Sequence, residues 1–470
     1  MRGERMKAFL SALRRFFETI LLPSWMAPEW LPPIEKLGFY ITAGAGLVFT
    51  LCYTYQFFYI FLALVIRPRR YKPSPENRRY AAVIAARNEE QVIASLLASI
   101  KAQTYPIALI DIFVVADNCT DKTAAVAREC GATVFERQSK TRVGKGYALE
   151  FLFDRIAASR GLRHYDAYLV FDADNVLAPT FFSEMNRAFG AGYSVITSYR
   201  NSKNYGKSWV SAAYGLWFMR ESKHLQNPRN LLGCSAAISG TGFLVDSAII
   251  EENGGWKHFL LTEDIEFTVD FVTRGGKIGY CDAAELYDEQ PETLAQSFRQ
   301  RKRWAKGMFQ VIHRYGRRLC KGTLRLRWSC FDMLMNVMPS FIISTVQLGL
   351  VSLLFVIDFF GNLIKAANGV QITGLYSKVL LGFLLDFFVL GYLIFLVLGL
   401  ITLLSEWRKV HCNKLRALAL LFLFPVFMLT YIPISLAALF TKRVEWRPIV
   451  HRHAMSVSEV QARAPRRQKK

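Results

Sequence analysis

The chain has 470 residues, 52% of them hydrophobic with 36 Phe, a formal net charge of +22 and eight Cys. The length allows about two to four domains, and the apolar share is rich for a soluble protein yet low for one held wholly in a bilayer. The Cys are scattered with no CxxC and no His/Cys cluster, which argues against a zinc site or a disulfide framework and suits a reducing cytosol.

The basic residues gather beside apolar stretches: Arg67–Arg70, Arg299–Lys306, Arg314–Arg327, Arg408–Arg416, Lys442–Arg452 and Arg466–Lys470. That is the pattern of a cytoplasmic membrane face attracted to anionic lipid, and it argues against nucleic acid as the partner. Residues 38–66, 339–360, 375–404 and 415–440 are nearly free of charge, each long enough to cross a hydrocarbon core of roughly 30 Å. The spacing therefore predicts an amphipathic N-terminal segment (1–36), a transmembrane helix (37–70), a water-facing domain (71–290), amphipathic interfacial helices (291–330), three C-terminal membrane segments (331–441) and a basic tail (442–470).

Within the first segment, residues 6–22 show helical spacing with Lys7, Arg14 and Arg15 opposite the apolar face, and the prolines of 23–36 impose a loop. In the water-facing domain, Tyr80–Ala86 reads as a buried parallel strand. Asn88 reads as the cap of a helix with Glu89 and Glu90 in its first turn. Ile110–Ala116 is a second strand, ending at Asp117, and Ala132–Glu136 a third. Gly144-Lys145-Gly146 leads into a helix, and Tyr168–Phe171 is a fourth strand that stops at Asp172-Ala173-Asp174. This alternation calls for a parallel, doubly wound sheet. Beyond it come a helix at Ser208–His224, a short strand at Phe243–Val245, a helix at Thr262–Thr273, a strand at Lys277–Cys281 and a long basic helix at Leu294–Tyr315.

Ligands of open α/β sheets bind beyond the carboxyl ends of the strands. Asp172 and Asp174 at such an edge form a hard-oxygen pair suited to Mg²⁺ or Mn²⁺ held jointly with phosphate oxygens; the plain alternative is a solvated turn. Glu89 and Asp117 stand at comparable edges, where carboxylates bind a base or ribose or simply cap helices. Lys145 between two glycines can neutralise a diphosphate, although the P-loop spacing is absent. Thr262-Glu263-Asp264 offers a general base at a helix start. Gln300 and Arg303 share a helix face, Arg303 suits a departing diphosphate, and Trp304 offers a stacking platform for a sugar. His451-Arg452-His453 reads as interfacial charge.

Taken in order, these residues resemble the membrane-integrated family 2 glycosyltransferases, the group of cellulose, chitin and hyaluronan synthases. The resemblance spans about residues 80–310. It implies an α/β GT-A-like (Rossmann-like) cytosolic domain joined to transmembrane and amphipathic interfacial helices. By that resemblance Asp117 contacts the uracil of a UDP-sugar, and Asp172 and Asp174 are the DxD motif, with Asp174 the metal ligand and Asp172 nearer the nucleotide-sugar. Asp264 is the base of the TED motif, and Gln300, Arg303 and Trp304 are Q-x-x-R-W. Lys145 would touch the diphosphate; Gly240, Thr241, Gly242, Glu263 and Trp304 would line the acceptor site; Glu89 would belong to the nucleotide-sugar site.

The resulting expectation is an inverting, Mg²⁺- or Mn²⁺-dependent transferase in the plasma membrane, catalytic domain inward. It would extend a β-linked glycan from a UDP-sugar. Transfer of one sugar to a lipid acceptor is a second enzymatic reading, and a channel or transporter with a nucleotide-sensing domain is a reading from another class. One span before the domain and three after would put the C-terminus outside, against its basic tail; a break of 415–440 at Pro425 and Pro433 into a re-entrant element restores parity.

Overall fold

Eight strands form one sheet in the order β3-β2-β1-β4-β7-β6-β8-β5 among the residues that the computed structural model describes: 40, 44, 46–48, 50–338, 340–369, 375–442 and 451–462. The expected helix at 6–22, the loop at 23–36 and the basic end of the tail lie outside these residues. The chain separates into two units. One comprises residues 1–55 and 340–390, the other 56–339 and 391–470, and the second holds the whole sheet.

Four strands come first: β1 (Tyr80–Ala86), β2 (Ile110–Asp117), β3 (Thr133–Arg137) and β4 (Ala167–Asp172). They pair in parallel, with Tyr80 opposite Ile110 on one side and Ala167 on the other. Almost every residue of β1 and β4 is buried, as expected for strands covered on both faces. The helix after β1, α1 (Ile93–Lys101), buries Ile93, Leu96, Leu97 and Ile100. It begins later than the sequence suggests. Asn88 sits at φ +58° and accepts from the Thr120 N–H at 2.8 Å, so it ties two loops together and caps nothing.

The second half departs from a purely parallel sheet. After α2 (Thr123–Glu129) and α3 (Lys145–Arg160) come β5 (Val176–Leu177), α4 (Phe181–Gly190), β6 (Val195–Ser202) and α5 (Trp209–Arg220). Then follow β7 (Phe243–Asp246), α6 (Ser247–Glu252), α7 (Glu263–Thr273) and β8 (Ile278–Asp288). The four-residue β7 slots antiparallel between β4 and β6, and β8 runs parallel to β6 past a bulge at Ser198/Tyr199. The sheet is therefore mixed. The polar end of β6 and the two-residue β5 carry no period-2 signal, which is why periodicity passes over them.

Helix α8 (Leu294–Leu324) opens with a Thr293/Gln296 capping box and runs on past Tyr315. Its buried face includes Ser297, Arg301, Ala305, Val311, Tyr315 and Leu319. Arg301, read from sequence as part of a surface charge run, is fully buried. Its guanidinium donates to the Phe427 carbonyl and the Thr430 hydroxyl, both at 2.8 Å, and lies over the Phe427 ring at 4.0 Å. Among the described residues, two helices, Gly46–Val65 and Phe387–Ser405, are long and apolar enough to cross a membrane. Lys414–Leu421 and Phe424–Phe440 pass that test only as a pair bent by 44°, a broken span or a re-entrant loop, with the break just before Pro425.

Gly242, at φ +64°, marks the tightest point between β7 and its neighbours: a Cβ there would fall 1.8 Å from Leu286 Cδ2 and 2.6 Å from Ser198 Oγ. Left-handed backbone costs a non-glycine residue about 1–2 kcal/mol and overpacking about 1–3 more. Gly242→Ala is expected to lower the thermal unfolding midpoint of the detergent-purified protein by several degrees; an unchanged midpoint would mean that Leu286 and Ser198 give way freely.

Candidate active site

The acidic strand ends converge as the parallel order requires. Glu89 follows β1, Asp117 closes β2 and Asp172 closes β4, so all three stand at one edge, beside the β1/β4 switch point where the chain reverses its direction of travel across the sheet. Asp117 is buried and ion-paired with Arg137 of β3, which also donates to the Arg142 carbonyl at 2.7 Å. Glu89 is half-buried beneath a segment far along the chain: His451 Nδ1 lies 2.9 and 3.0 Å from its two carboxylate oxygens. Burial raises the Glu89 pKa against the pull of His451.

Lys145 begins α3 and reaches across the cleft. Its ammonium donates to Asp172 Oδ1 at 2.5 Å and to the Gly240 carbonyl at 2.8 Å. Burial works against its charge, but Asp172, Glu263 and Asp264 outweigh this and its pKa is raised. Gly240 also borders Asp264, whose Oδ2 would be 3.8 Å from a Cβ built there. Thr241 and Gly242, expected to line an acceptor site, also hold the chain together here. The Thr241 hydroxyl donates to Asn175 Oδ1 at 2.5 Å and accepts from the Asp172 N–H at 2.9 Å, while the Gly242 N–H donates to the Val170 carbonyl at 2.8 Å. Both residues are buried and lock the turn that carries the aspartates.

Asp174 is buried and accepts from the Glu289 N–H at 2.7 Å. Burial opposes its ionisation, yet His451, Lys203, that N–H and Arg200 hold its pKa low. Among the described residues, no three His, Cys, Asp or Glu side chains gather as a metal cage. Asp172 and Asp174 instead fit Mg²⁺ or Mn²⁺ of the kind that takes one or two carboxylates and completes its shell from phosphates and water.

Glu263 and Asp264 open α7, where the helix dipole favours acids. Burial and then the charge of Asp264 push the Glu263 pKa up to about 7, and burial raises that of Asp264 despite the pull of Lys145 and Arg303. Helix α8 is pressed onto this corner because Gly307 has no side chain: a Cβ there would sit 2.6 Å from Thr262. Arg303 Nη1 donates to the Leu261 carbonyl at 3.3 Å and Gln310 accepts from the Leu261 N–H at 3.2 Å. Trp304 packs edge-on against Tyr214 and Phe218 of α5, with ring centroids 5.9 and 6.2 Å apart. The Gln300 carbonyl oxygen is buried without a hydrogen-bond partner among the described residues.

Residues that sequence patterns did not flag complete the donor edge. Arg200, at the end of β6, is ion-paired with buried Asp288, donates to the Ser239 carbonyl at 2.8 Å and lies 3.7 Å over the Phe218 ring. Burial and nearby acids push the Asp288 pKa up to about 6 even beside Arg200. The tail segment 451–453, read from sequence as interfacial charge, lies along this edge. The N–H groups of Arg452 and His453 donate to the Glu289 carboxylate at 2.8 and 3.0 Å, His453 Nε2 meets Glu292 at 2.7 Å, and Lys203 donates to the His453 carbonyl at 3.0 Å. No local pattern marks these pairs, since their partners lie more than 150 residues apart.

A mixed sheet of this order, with acids on its strand ends and a basic helix closing one side, is a GT-A-like glycosyltransferase fold. Residues 76–307 match the family described as glycosyltransferase like family 2. The chain carries a family 2 glycosyltransferase domain and is a glycosyltransferase. That removes the reading as a channel with a sensing domain. It is 26% identical over 392 residues to the probable glycosyltransferase YdaM of Bacillus subtilis, covering 78% of this chain and 83% of that one. It is 26% identical over 294 residues to a beta-monoglucosyldiacylglycerol synthase of Nostoc, 59% of each chain. To a poly-beta-1,6-N-acetyl-D-glucosamine synthase of Staphylococcus aureus it is 25% identical over 240 residues, 49% of this chain and 55% of that one. The chain thus spans little more than half the length of the last two. Among solved structures, the mannosyltransferase PcManGT of Pyrobaculum calidifontis, in complex with GDP-Man and Mn²⁺, shares the fold with a TM-score of 0.52 at 14% identity, over 86% of this chain and 99% of that one.

The acid pair predicts a pH dependence. A base must be deprotonated to act, so a raised carboxylate pKa moves the acid limb of kcat/KM up toward neutrality. Because burial raises the Asp264 pKa, activity falls as pH drops through a point above the ordinary carboxylate range. Glu263→Gln, which removes a negative neighbour, moves that limb to lower pH. A limb that stays in place in the variant would separate the two carboxylates.

Proposed function

We propose that the enzyme is an inverting, metal-dependent glycosyltransferase that moves a sugar from a UDP-sugar onto a growing β-linked polysaccharide at the membrane. One observation carries this reading: the Lys145 ammonium bridges Asp172 and the Gly240 carbonyl while feeling Glu263 and Asp264, so donor-side and acceptor-side carboxylates share a single cleft.

Asp117 and Glu89 receive the nucleoside at the edge of β1 and β2. Asp174 with Asp172 would hold a divalent ion, which supplies positive charge at the diphosphate. Asp264 accepts the proton of the acceptor hydroxyl; the oxygen forms a bond to the anomeric carbon from the face opposite UDP, and the C1–O bond to the diphosphate breaks with its electron pair leaving on UDP. Lys145 and Arg303 take up that charge, since fixed cations in a water-poor site stabilise developing anions far better than bulk water does. Glu263 and Gly240 border the attacking hydroxyl, Gln300 lies one turn from Arg303, and Trp304 seats the acceptor sugar. Helices long and apolar enough to cross a bilayer support a membrane enzyme, and the basic flanks suit a catalytic domain on the cytoplasmic side.

A second reading, a single transfer to a lipid-linked acceptor, is favoured by the similarity to the beta-monoglucosyldiacylglycerol synthase. Product length separates the two. Detergent-purified protein incubated with a panel of labelled UDP-sugars and Mn²⁺ is expected to release UDP and to build a polymer. Asp264→Asn is expected to lose about 10²–10⁴-fold in kcat, the usual range for a general base; equal activity in this variant would overturn the assignment. Chelation by EDTA is expected to abolish transfer and added Mn²⁺ to restore it, with full activity in EDTA arguing against a metal at Asp174.

A further inference from the structure

Helix α5 continues into a π-helical turn, Glu221–Gln226, a rare geometry that collects at functional sites. The turn sets Glu221 one helical step beyond Phe218, whose ring meets Trp304. The Glu221 carboxylate accepts from Gln226 Nε2 at 3.2 Å and from the Ser239 hydroxyl. Ser239 precedes Gly240, which borders Asp264 Oδ2 and Arg200 Nη1. Glu221 and Asp264 therefore flank one turn, with the Trp304 indole on the Phe218 side, and the two carboxylates lie close enough to raise the Glu221 pKa further after burial has done so. Glu221 is no mere counter-ion for Arg200, which directs its hydrogen bonds to Asp288 and the Ser239 carbonyl.

Resting on the transferase reading above, we propose that Glu221 is an acceptor-binding residue that accepts hydrogen bonds from ring hydroxyls of a pyranose seated against Trp304, and so selects which hydroxyl faces Asp264. A carboxylate is an acceptor with room for several hydroxyl donors. Paired with an indole face, it matches a polyhydroxylated sugar end. The single hydroxyl of a diacylglycerol would use neither the second carboxylate nor the ring.

The test uses the full chain in detergent, with cellobiose, chitobiose and, in mixed micelles, dioleoylglycerol as acceptors. Wild type is expected to glycosylate a disaccharide. Glu221→Gln and Glu221→Ala are expected to raise the disaccharide KM about 10-fold or more, the worth of one or two hydrogen bonds to a charged group, with kcat changed far less and with UDP affinity by calorimetry unchanged. Glutamine, which keeps one acceptor oxygen, is expected to lose less than alanine. An unchanged KM in both variants, transfer to dioleoylglycerol alone, or a parallel loss of UDP affinity marking a structural role would each overturn the proposal. Failure of the wild type to turn over any UDP-sugar would instead strike the parent reading.

Discussion

One ammonium group joins the two sides of the cleft. Lys145 is half-buried, and it reaches Asp172 on the donor side and the Gly240 carbonyl on the acceptor side. A cation in such a place persists only because several carboxylates surround it, and it in turn offsets part of the rise in pKa that burial imposes on Glu263 and Asp264. The turn at 240–242 then has to be tight enough to present its carbonyl to the lysine. Positive φ at Gly240 and Gly242 makes it so, and Thr241 clamps the same turn to the aspartate strand through Asn175 and the Asp172 N–H. Electrostatics and backbone geometry are thus one constraint.

The second constraint is the seating of α8. This long basic helix lies against the start of α7 because Gly307 clears Thr262, and Arg303 and Gln310 fasten the Leu261 peptide. On its other side, buried Arg301 ties it to the Phe427–Thr430 turn of the bent apolar pair. The same helix therefore contacts the catalytic corner on one face and the apolar helices on another. A sugar held by Trp304 would be held beside both.

The donor edge carries a dense balance of charge. Asp174, Asp288, Glu89 and Glu289 are offset by Arg200, Lys203 and His451, the last of which is raised to about 10 because Asp174 and Glu89 outweigh the cost of its burial. The tail supplies part of this balance from the far end of the chain, and Met455 and Val460 pack with Tyr287 to hold it there.

Strands, helix faces and the acids at strand ends are set by near neighbours, and the sequence alone was enough to place most of them. The apolar runs of β1, β2 and β4 stop at Asp117 and Asp172, and burial of a run followed by an acid announces both the strand and its edge. The helical face of α8 with Arg303 and Trp304 was legible for the same reason, and the family 2 resemblance followed from the order of these signals. Tertiary structure alone decided the rest. The antiparallel insertion of β7 arises from a four-residue strand with no period to read. Burial of Arg301, the pairing of Asp117 with Arg137, the turn-locking use of Thr241 and the return of His451 to Glu89 all depend on partners 20 to 362 residues away that folding brings near, and local sequence patterns carry no record of a charge or a hydroxyl that arrives from beyond them.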